Sequence, residues 1–453
     1  MKKFFLMVFI VGLVFLSILA GKFFYQNFHG IGPAVLPSTQ NDDIVLEKRL
    51  MQDATNEVSE GNTTGLPFTV PAGFSISIYA KDLGSPRVLQ LDPQGTLLAS
   101  IPSQGKVVAL TESEDKGKAD NPPVVVVDKL NKPHGIAFHP TNKKLYIAET
   151  DQVAVYDYDT VSLKATNKKK IIDLPAGGNH FSRTIGFGPD GRLYISVGSS
   201  CNVCVEKDSR RAKILVANAD GSDLKEYASG LRNSVFFNWH PVSRELWATD
   251  MGRDLIGDDI PPDEINIIRG PSTSFDQAQD KSIGQNPVPD FGWPYCYGKK
   301  IHDTTFENSE KANNLCENSI SSHIDLQAHS APLGLTFIPV KNDSKGLNNL
   351  PTGSTIRPFE SWPKEYRNDL LVAYHGSWNR STPTGYKVVR MKLDEKGNYL
   401  GVEDFITGWL ENAKSSAGAL SRPVDLLFDN NGNLYVSDDK AGVVYSVWYP
   451  GLK

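Results

Sequence analysis

The chain is poor in the residues that most often build reactive centres. Its 453 residues include four cysteines, nine histidines and five methionines, and Lys plus Arg nearly balance Asp plus Glu at 47 against 52, a formal charge of −5. So small an imbalance gives no electrostatic case for a nucleic-acid partner. The one dense basic run, Lys168 to Lys170, reads as a solvated turn between repeats. Haem attachment at Cys201 and Cys204 would need a histidine where Val205 stands, and four scattered thiolates with no nearby histidine make a poor zinc set. Two local disulfides, Cys201–Cys204 and Cys296–Cys316, are the reading that remains for an exported chain.

Export is indicated by the amino terminus. Met1-Lys2-Lys3 precedes an apolar run from Phe4 to Ala20, and Phe23, Phe24 and Tyr25 extend it. Ala20 is small, as a cleavage site requires at −1, but the −3 position is not, so a cleaved signal and a membrane anchor both stand for residues 1–25. Residues 26–65 are polar and aperiodic and read as a tether, and residues 66–453 as the globular part. The expected location is periplasmic or otherwise exported, with the inner membrane as the place of any anchor.

Beyond that segment no helical period competes with a repeated template: a Pro, Arg or Asn, a few apolar residues, a tight turn, then an alternating strand. The copies start at Pro86, Pro133, Arg183, Asn233, Ala331 and Arg422. The first four are spaced by roughly 50 residues, a period that indicates a β-propeller with several strands per unit. Within a copy such as Ile185, Phe187, Leu193, Ile195, Val197, alternation predicts a hairpin with one face on its neighbours. Length alone would suggest about three domains, but blades that bury their faces only against each other make one large all-β domain, a six-bladed propeller.

Chemistry has to be sought at the loop ends of such a fold. The segment GGNHFSR, Gly177 to Arg183, precedes the third copy and places His180 at the channel mouth, with Arg183 beside it or paired to Asp190. Histidine suits proton abstraction near neutral pH, and arginine can stabilise a developing anion. Arg87, His134, Arg183, Arg232, Asn233 and Arg422 occupy related entry positions, so they form either a ring of donors for a polyanionic ligand or a set of inter-blade ion pairs. Asp250, Asp254, Asp258, Asp259, Asp263 and Glu264 crowd one loop that would suit calcium or simply be a solvated acidic loop. His375, Trp378, Asn379 and Arg380 share a loop suited to a flat, charged ligand.

Seven of these segments together resemble the pyrroloquinoline-quinone (PQQ)-dependent glucose/sorbosone dehydrogenases: GGNHFSRT, GSSCNVC, GLRNS, PDEIN, FGWPYCYG, HSAPLG and HGSWNR. The last two bring the chain nearer the sorbosone branch. The resemblance implies PQQ over the channel, His180 as the base and hydride transfer to the quinone, with Arg232 and Asn233 at the quinone oxygens. The Arg232 charge would stabilise the reduced ring. It also implies carbonyls of Gly252 and Arg253 on a calcium ion, with Asp263 near a structural calcium. Arg422 matches a cofactor arginine, whereas Val424 replaces a second one. Asn379 and Arg380 stand where the aldose branch has a cofactor lysine, and Arg87 and Arg183 are available for the remaining carboxylates.

The expected activity is oxidation of a sugar or related alcohol or aldehyde, with electrons passed to a separate cytochrome or membrane quinone. The alternatives are a calcium-dependent lactonase-type propeller and a non-catalytic propeller that binds sugar or protein.

Overall fold

In the computed structural model, which describes residues 2–28, 61–115, 117–270, 287–306, 309–339, 362–410 and 418–450, the repeats form six four-stranded antiparallel sheets. Blade one is Leu89–Leu91, Leu97–Ile101, Lys106–Leu110 and Val124–Val127. Blade two is Ile136–Phe138, Leu145–Glu149, Gln152–Asp159 and Lys164–Asp173. Blade three is Ile185–Phe187, Leu193–Val197, Lys213–Ala217 and Lys225–Ser229. Blade four is Phe237–Trp239, Leu246–Asp250, Asp263–Ile268 and Ile324–Leu326. Blade five is Pro332–Phe337, Leu370–Tyr374, Lys387–Leu393 and Tyr399–Ile406. Blade six is Pro423–Phe428, Leu434–Asp438 and Val443–Trp448, completed by Ser75–Ala80 from the other end of the chain. That last pairing closes the ring without leaving an open edge between first and last blade.

First strands of successive blades meet around the axis at five of the six junctions, one to two, two to three, four to five, five to six and six to one. Every second strand is buried at all five residues. The expected one-sided burial therefore fails for these strands: each is sandwiched between two neighbouring blades, and both of its faces join a core cluster. The polar members of the alternation survive as small hydroxyls such as Ser196 and Thr249, which bond to neighbouring backbone carbonyls.

The repeated turn has a specific chemistry. Asp92 Oδ1 accepts the amides of Gln94 and Thr96, both at 2.8 Å, and Asp429 Oδ1 does the same for Asn431 and Asn433. Where blades two and four have His-Pro instead, His139 and His240 accept turn amides through Nδ1. Two histidines are thus structural, and burial lowers the pKa of both.

Lys168 to Lys170 lie in the outer strand of blade two, not in a turn. Lys168 pairs with Glu149 and Lys170 with Asp173, and a lysine-rich outer strand discourages pairing with a second chain. Residues before 66 also pack on the propeller, since Asn62 and Thr64 are buried and Asn62 Nδ2 bonds the carbonyls of Leu66 and Phe68.

Helix α1, Lys2–Phe28, carries exposed side chains at Met7 and residues 9–21. Among the described residues no helix is long and apolar enough to cross a membrane. Helix α2, Glu310–Asn318, is capped by Ser309, whose hydroxyl accepts from Ala312 N–H at 3.2 Å. It brings Cys316 to Cys296 of a small hairpin, Cys296–Tyr297 with Ile301–His302, and both expected disulfides are formed.

Candidate active site

The loop that enters blade three packs close to the end of that blade's second strand because Gly198, the residue after Val197, has no side chain. A Cβ there would stand 2.5 Å from Asn233 Oδ1 and 2.8 Å from His180 Cβ, so only glycine lets the two approach. His180 Nδ1 is 2.9 Å from the Ser199 carbonyl and 3.0 Å from Ser199 Oγ. The carbonyl can only accept, so Nδ1 carries the proton and Nε2 is the free base, with no hydrogen bond to a described residue. Burial, and next the Arg232 charge, push the His180 pKa down to about 3, so the imidazole is neutral at physiological pH.

Phe181, beside His180, faces a second cluster. The Arg87 guanidinium lies 5.9 Å from the centre of its ring. Arg87 pairs with Asp439 Oδ2, and His375 Nε2 donates to Asp439 Oδ1 at 2.9 Å. Arg422 reaches His375 Nδ1 at 3.5 Å and Tyr386 Oη at 3.2 Å. Burial raises the Asp439 pKa, but His375, Arg87 and Arg422 lower it by more and hold the carboxyl well below its usual range. Burial likewise lowers the His375 pKa, which leaves two arginines against one carboxylate and the half-buried cluster net cationic.

Three expected ligand contacts are corrected by the geometry. Arg183 is fully buried and donates to the carbonyls of His180, Ser182 and Pro175, so it braces the loop from beneath and does not pair with Asp190. His134 is fully buried against Phe181 and Phe236, its pKa pushed well below normal first by burial and then by Arg87 and Arg183. Arg232 is 4% exposed, and its five donors all have acceptors. Nε meets Asn202 O, Nη1 meets Met251 O and Gly252 O, and Nη2 meets Asn202 Oδ1 and Asp254 Oδ2. Neither a quinone oxygen nor a reduced ring has a donor left to use there.

Part of the expected calcium set is already engaged by the protein. Gly252 O accepts from Arg232 Nη1, and the Arg253 side chain, as distinct from the carbonyl expected to bind, reaches Asp303 and Thr305. Asp263 accepts from Gly252 N–H through one oxygen and from Ala331 N–H and Ser330 Oγ–H through the other. Its neighbours also have partners: Asp250 the amides of Arg232 and Asn233, Asp258 Ser381, Glu264 Gly298 N–H, and the exposed Asp259 a single contact with Arg380. Among the described residues the only three-residue side-chain group with metal-ligand spacing is Cys201, Cys204 and Glu206, and its cysteines are disulfide-bonded.

Arg380 is likewise a fastener, donating to Asp258 O, Ala328 O and Asp259 Oδ1. Asn379 is different. Its Nδ2 bonds Asp254 Oδ1 at 3.1 Å, while its buried Oδ1 has no hydrogen-bond partner. Trp378 beside it is 37% exposed, the open aromatic plate expected there. Asp439 and Ser199 were not singled out from the sequence, and Asp254 was read only as part of the acidic loop.

Residues 68–450 match the TrAA12-like family. The chain belongs to that family. An uncharacterised protein of Borreliella burgdorferi is 32% identical over 397 residues, spanning 84% of this chain and 90% of that one. A pyrroloquinoline quinone-dependent pyranose dehydrogenase of Coprinopsis cinerea is 26% identical over 438 residues, 83% of this chain but 54% of that enzyme, so the present chain spans about half its length. The holo PQQ domain of pyranose dehydrogenase from Coprinopsis cinerea superposes with a TM-score of 0.67 at 23% identity, covering 84% of this chain and 97% of that one, a likeness of fold. Kinship of this TrAA12-like chain with PQQ-dependent sugar dehydrogenases accords with the resemblance carried by its loop motifs.

The residues fit a flat quinone bearing carboxylates. Arg87 and Arg422 provide the positive charge, His375 links Arg422 to Asp439, and Trp378 offers an exposed stacking face.

Proposed function

We propose that this protein is an exported PQQ-dependent oxidoreductase that oxidises a sugar or a related alcohol or aldehyde. The observation that carries the reading is the pinned imidazole of His180, with Nδ1 fixed by Ser199 and Nε2 free beside a net cationic cluster. Bound PQQ would supply an electrophilic quinone that accepts a hydride. His180 Nε2 takes the substrate hydroxyl proton, its lone pair left free because the ring proton is held on Nδ1 by Ser199. Arg87 and Arg422 hold carboxylates, with His375 positioning Arg422 against Asp439, and Arg232 acts at one remove, through its field on His180 and its grip on the surrounding loops. Electrons then leave to a separate acceptor, a cytochrome or a membrane quinone. Two disulfides and the apolar amino terminus support export.

No calcium is assigned to Gly252, Arg253 and Asp263 in this reading, because Gly252 O and both Asp263 oxygens already have partners within the protein, and the same contacts weaken the case for a hydrolytic metal loop. The test is reconstitution of the purified protein with PQQ, with and without Ca²⁺, followed by dye reduction over a panel of aldoses, ketoses and their aldehydes. Turnover with at least one sugar is expected, and a protein that binds PQQ yet reduces no dye with any of them would refute the activity.

A further inference from the structure

The two disulfides differ in kind. Cys296 and Cys316 are 2% and 0% exposed and lie 20 residues apart, so their bridge is sealed in the body. Cys201 and Cys204 are half-buried, three positions apart, and sit in an irregular loop directly behind His180. Regular pairing stops at the borders of this loop. Ser199 N–H donates to Arg232 O at 2.8 Å, Ser200 O accepts from Asn179 N–H at 3.0 Å, and strand pairing resumes only at Lys213.

This loop supplies the positioning contacts of the site. Ser199 Oγ donates to Cys201 O at 2.8 Å while Ser199 holds His180 Nδ1. Asn202, between the cysteines, accepts from Arg232 Nε and Nη2 at 2.9 and 2.8 Å and from Asp254 N–H at 2.8 Å. Glu206 ties back to the Ser200 hydroxyl at 2.7 Å. Both His180 and Arg232 therefore depend on a loop shaped by one accessible short-range bridge.

We propose that Cys201–Cys204 is a thiol–disulfide exchange site that controls the order of the His180 and Arg232 constellation. The ligand class is a dithiol reductant. Its thiolate attacks one sulfur to give a mixed disulfide, and its second thiol displaces that sulfur. The reductant leaves as a disulfide, and Cys201 and Cys204 each gain a proton and together gain two electrons. Accessibility and the two-residue spacing favour attack here over the sealed bridge. Once opened, the loop loses its closure, and the Ser199 and Asn202 contacts are no longer held in register.

The test uses the full chain, native and without cofactor, treated with dithiothreitol, then alkylated and peptide-mapped. Label is expected at Cys201 and Cys204 with Cys296 and Cys316 still paired. Hydrogen exchange in peptides spanning 177–206 and 230–254 should accelerate by roughly tenfold, the equivalent of losing about one hydrogen bond's net contribution, and return to the starting rate on reoxidation. Neither readout uses PQQ, so the outcome is separate from that of the functional reading on which the site's meaning rests. The Cys201→Ser/Cys204→Ser double variant should show the fast exchange without reductant. Absence of label in the folded protein, label at all four cysteines together, or label with unchanged exchange in those peptides would each overturn the proposal.

Discussion

Replacing Arg232 by Ala separates a structural fastener from a cofactor contact. The guanidinium is 4% exposed and joins the Cys201–Cys204 loop, through Asn202, to the acidic loop, through Met251, Gly252 and Asp254. Removing it takes a donor from three carbonyl oxygens, from Asn202 Oδ1 and from the Asp254 carboxylate, of which the last two keep Asp254 N–H and Asn379 Nδ2 respectively. Full loss of a buried ion pair's partner costs about 3–5 kcal/mol. The Asp254 side chain is 24% exposed, so water offsets part of that, and the lower end of about 3 kcal/mol is expected. Arg232→Lys keeps the charge but cannot reach two loops with one ammonium, so it should recover less than half of the loss. Urea denaturation followed by fluorescence gives the shift in midpoint, and an unchanged slope shows that the unfolded ensemble is the same. Were Arg232 instead a ligand contact, stability would be untouched and PQQ affinity alone would fall roughly 10- to 150-fold. A wild-type midpoint with such an affinity loss refutes the reasoning.

His180→Asn should preserve the urea midpoint within error and PQQ binding, while kcat falls by about two to four powers of ten, the usual contribution of a positioned base. Gly198→Ala should lower kcat/KM by about a hundredfold, because its Cβ would displace His180 by the order of an ångström, and a crystal structure of the variant should show the moved ring. Burial raises the Asp425 pKa to about 7, so the folded protein binds a proton there that the unfolded chain binds only near the ordinary carboxylate value. That group therefore adds stability as pH falls from about 7 toward 4, and the gain should be absent in Asp425→Asn. Equal pH slopes for the two proteins over that window would show that Asp425 is not the group concerned.

Much of the architecture was legible because the repeat is printed in the chain. Turns of the Asp92 and Asp429 type recur, and a two-residue alternation around them admits little but stacked hairpins. Burial of both faces of the second strands was not legible, because Ser196 and Thr249 look like solvent-facing residues until a neighbouring blade's carbonyl is placed against them. At the site, the positions of His180, His375 and Arg422 followed from loop ends, but the direction of a long side chain does not follow from its place in a repeat. Arg183 and Arg232 occupy the expected entries and turn inward, each toward backbone carbonyls that no linear pattern reveals. Asp439 was missed although a signal existed. It follows the second strand of blade six as His375 follows that of blade five, and the preceding Asp438, like Asp250 in blade four, accepts the amide of an entry arginine. Comparing the exits of second strands, and not only the entries to first strands, would have found it. Sugar selectivity is expected from long inter-blade loops such as Gly270 to Asp290, of which residues 271–286 lie outside the described residues.

The central claim is that the channel mouth pairs a neutral base with a cationic seat for PQQ. It is tested most directly by titrating PQQ into the wild-type protein by absorbance, in parallel with Arg87→Ala and Arg422→Ala, and then adding sugar anaerobically. Saturation at one PQQ per chain, weakening of roughly tenfold or more in each variant, and conversion of the bound chromophore to its reduced spectrum by sugar are predicted. No saturable binding by the wild type, or binding that is indifferent to both arginines, would contradict the account.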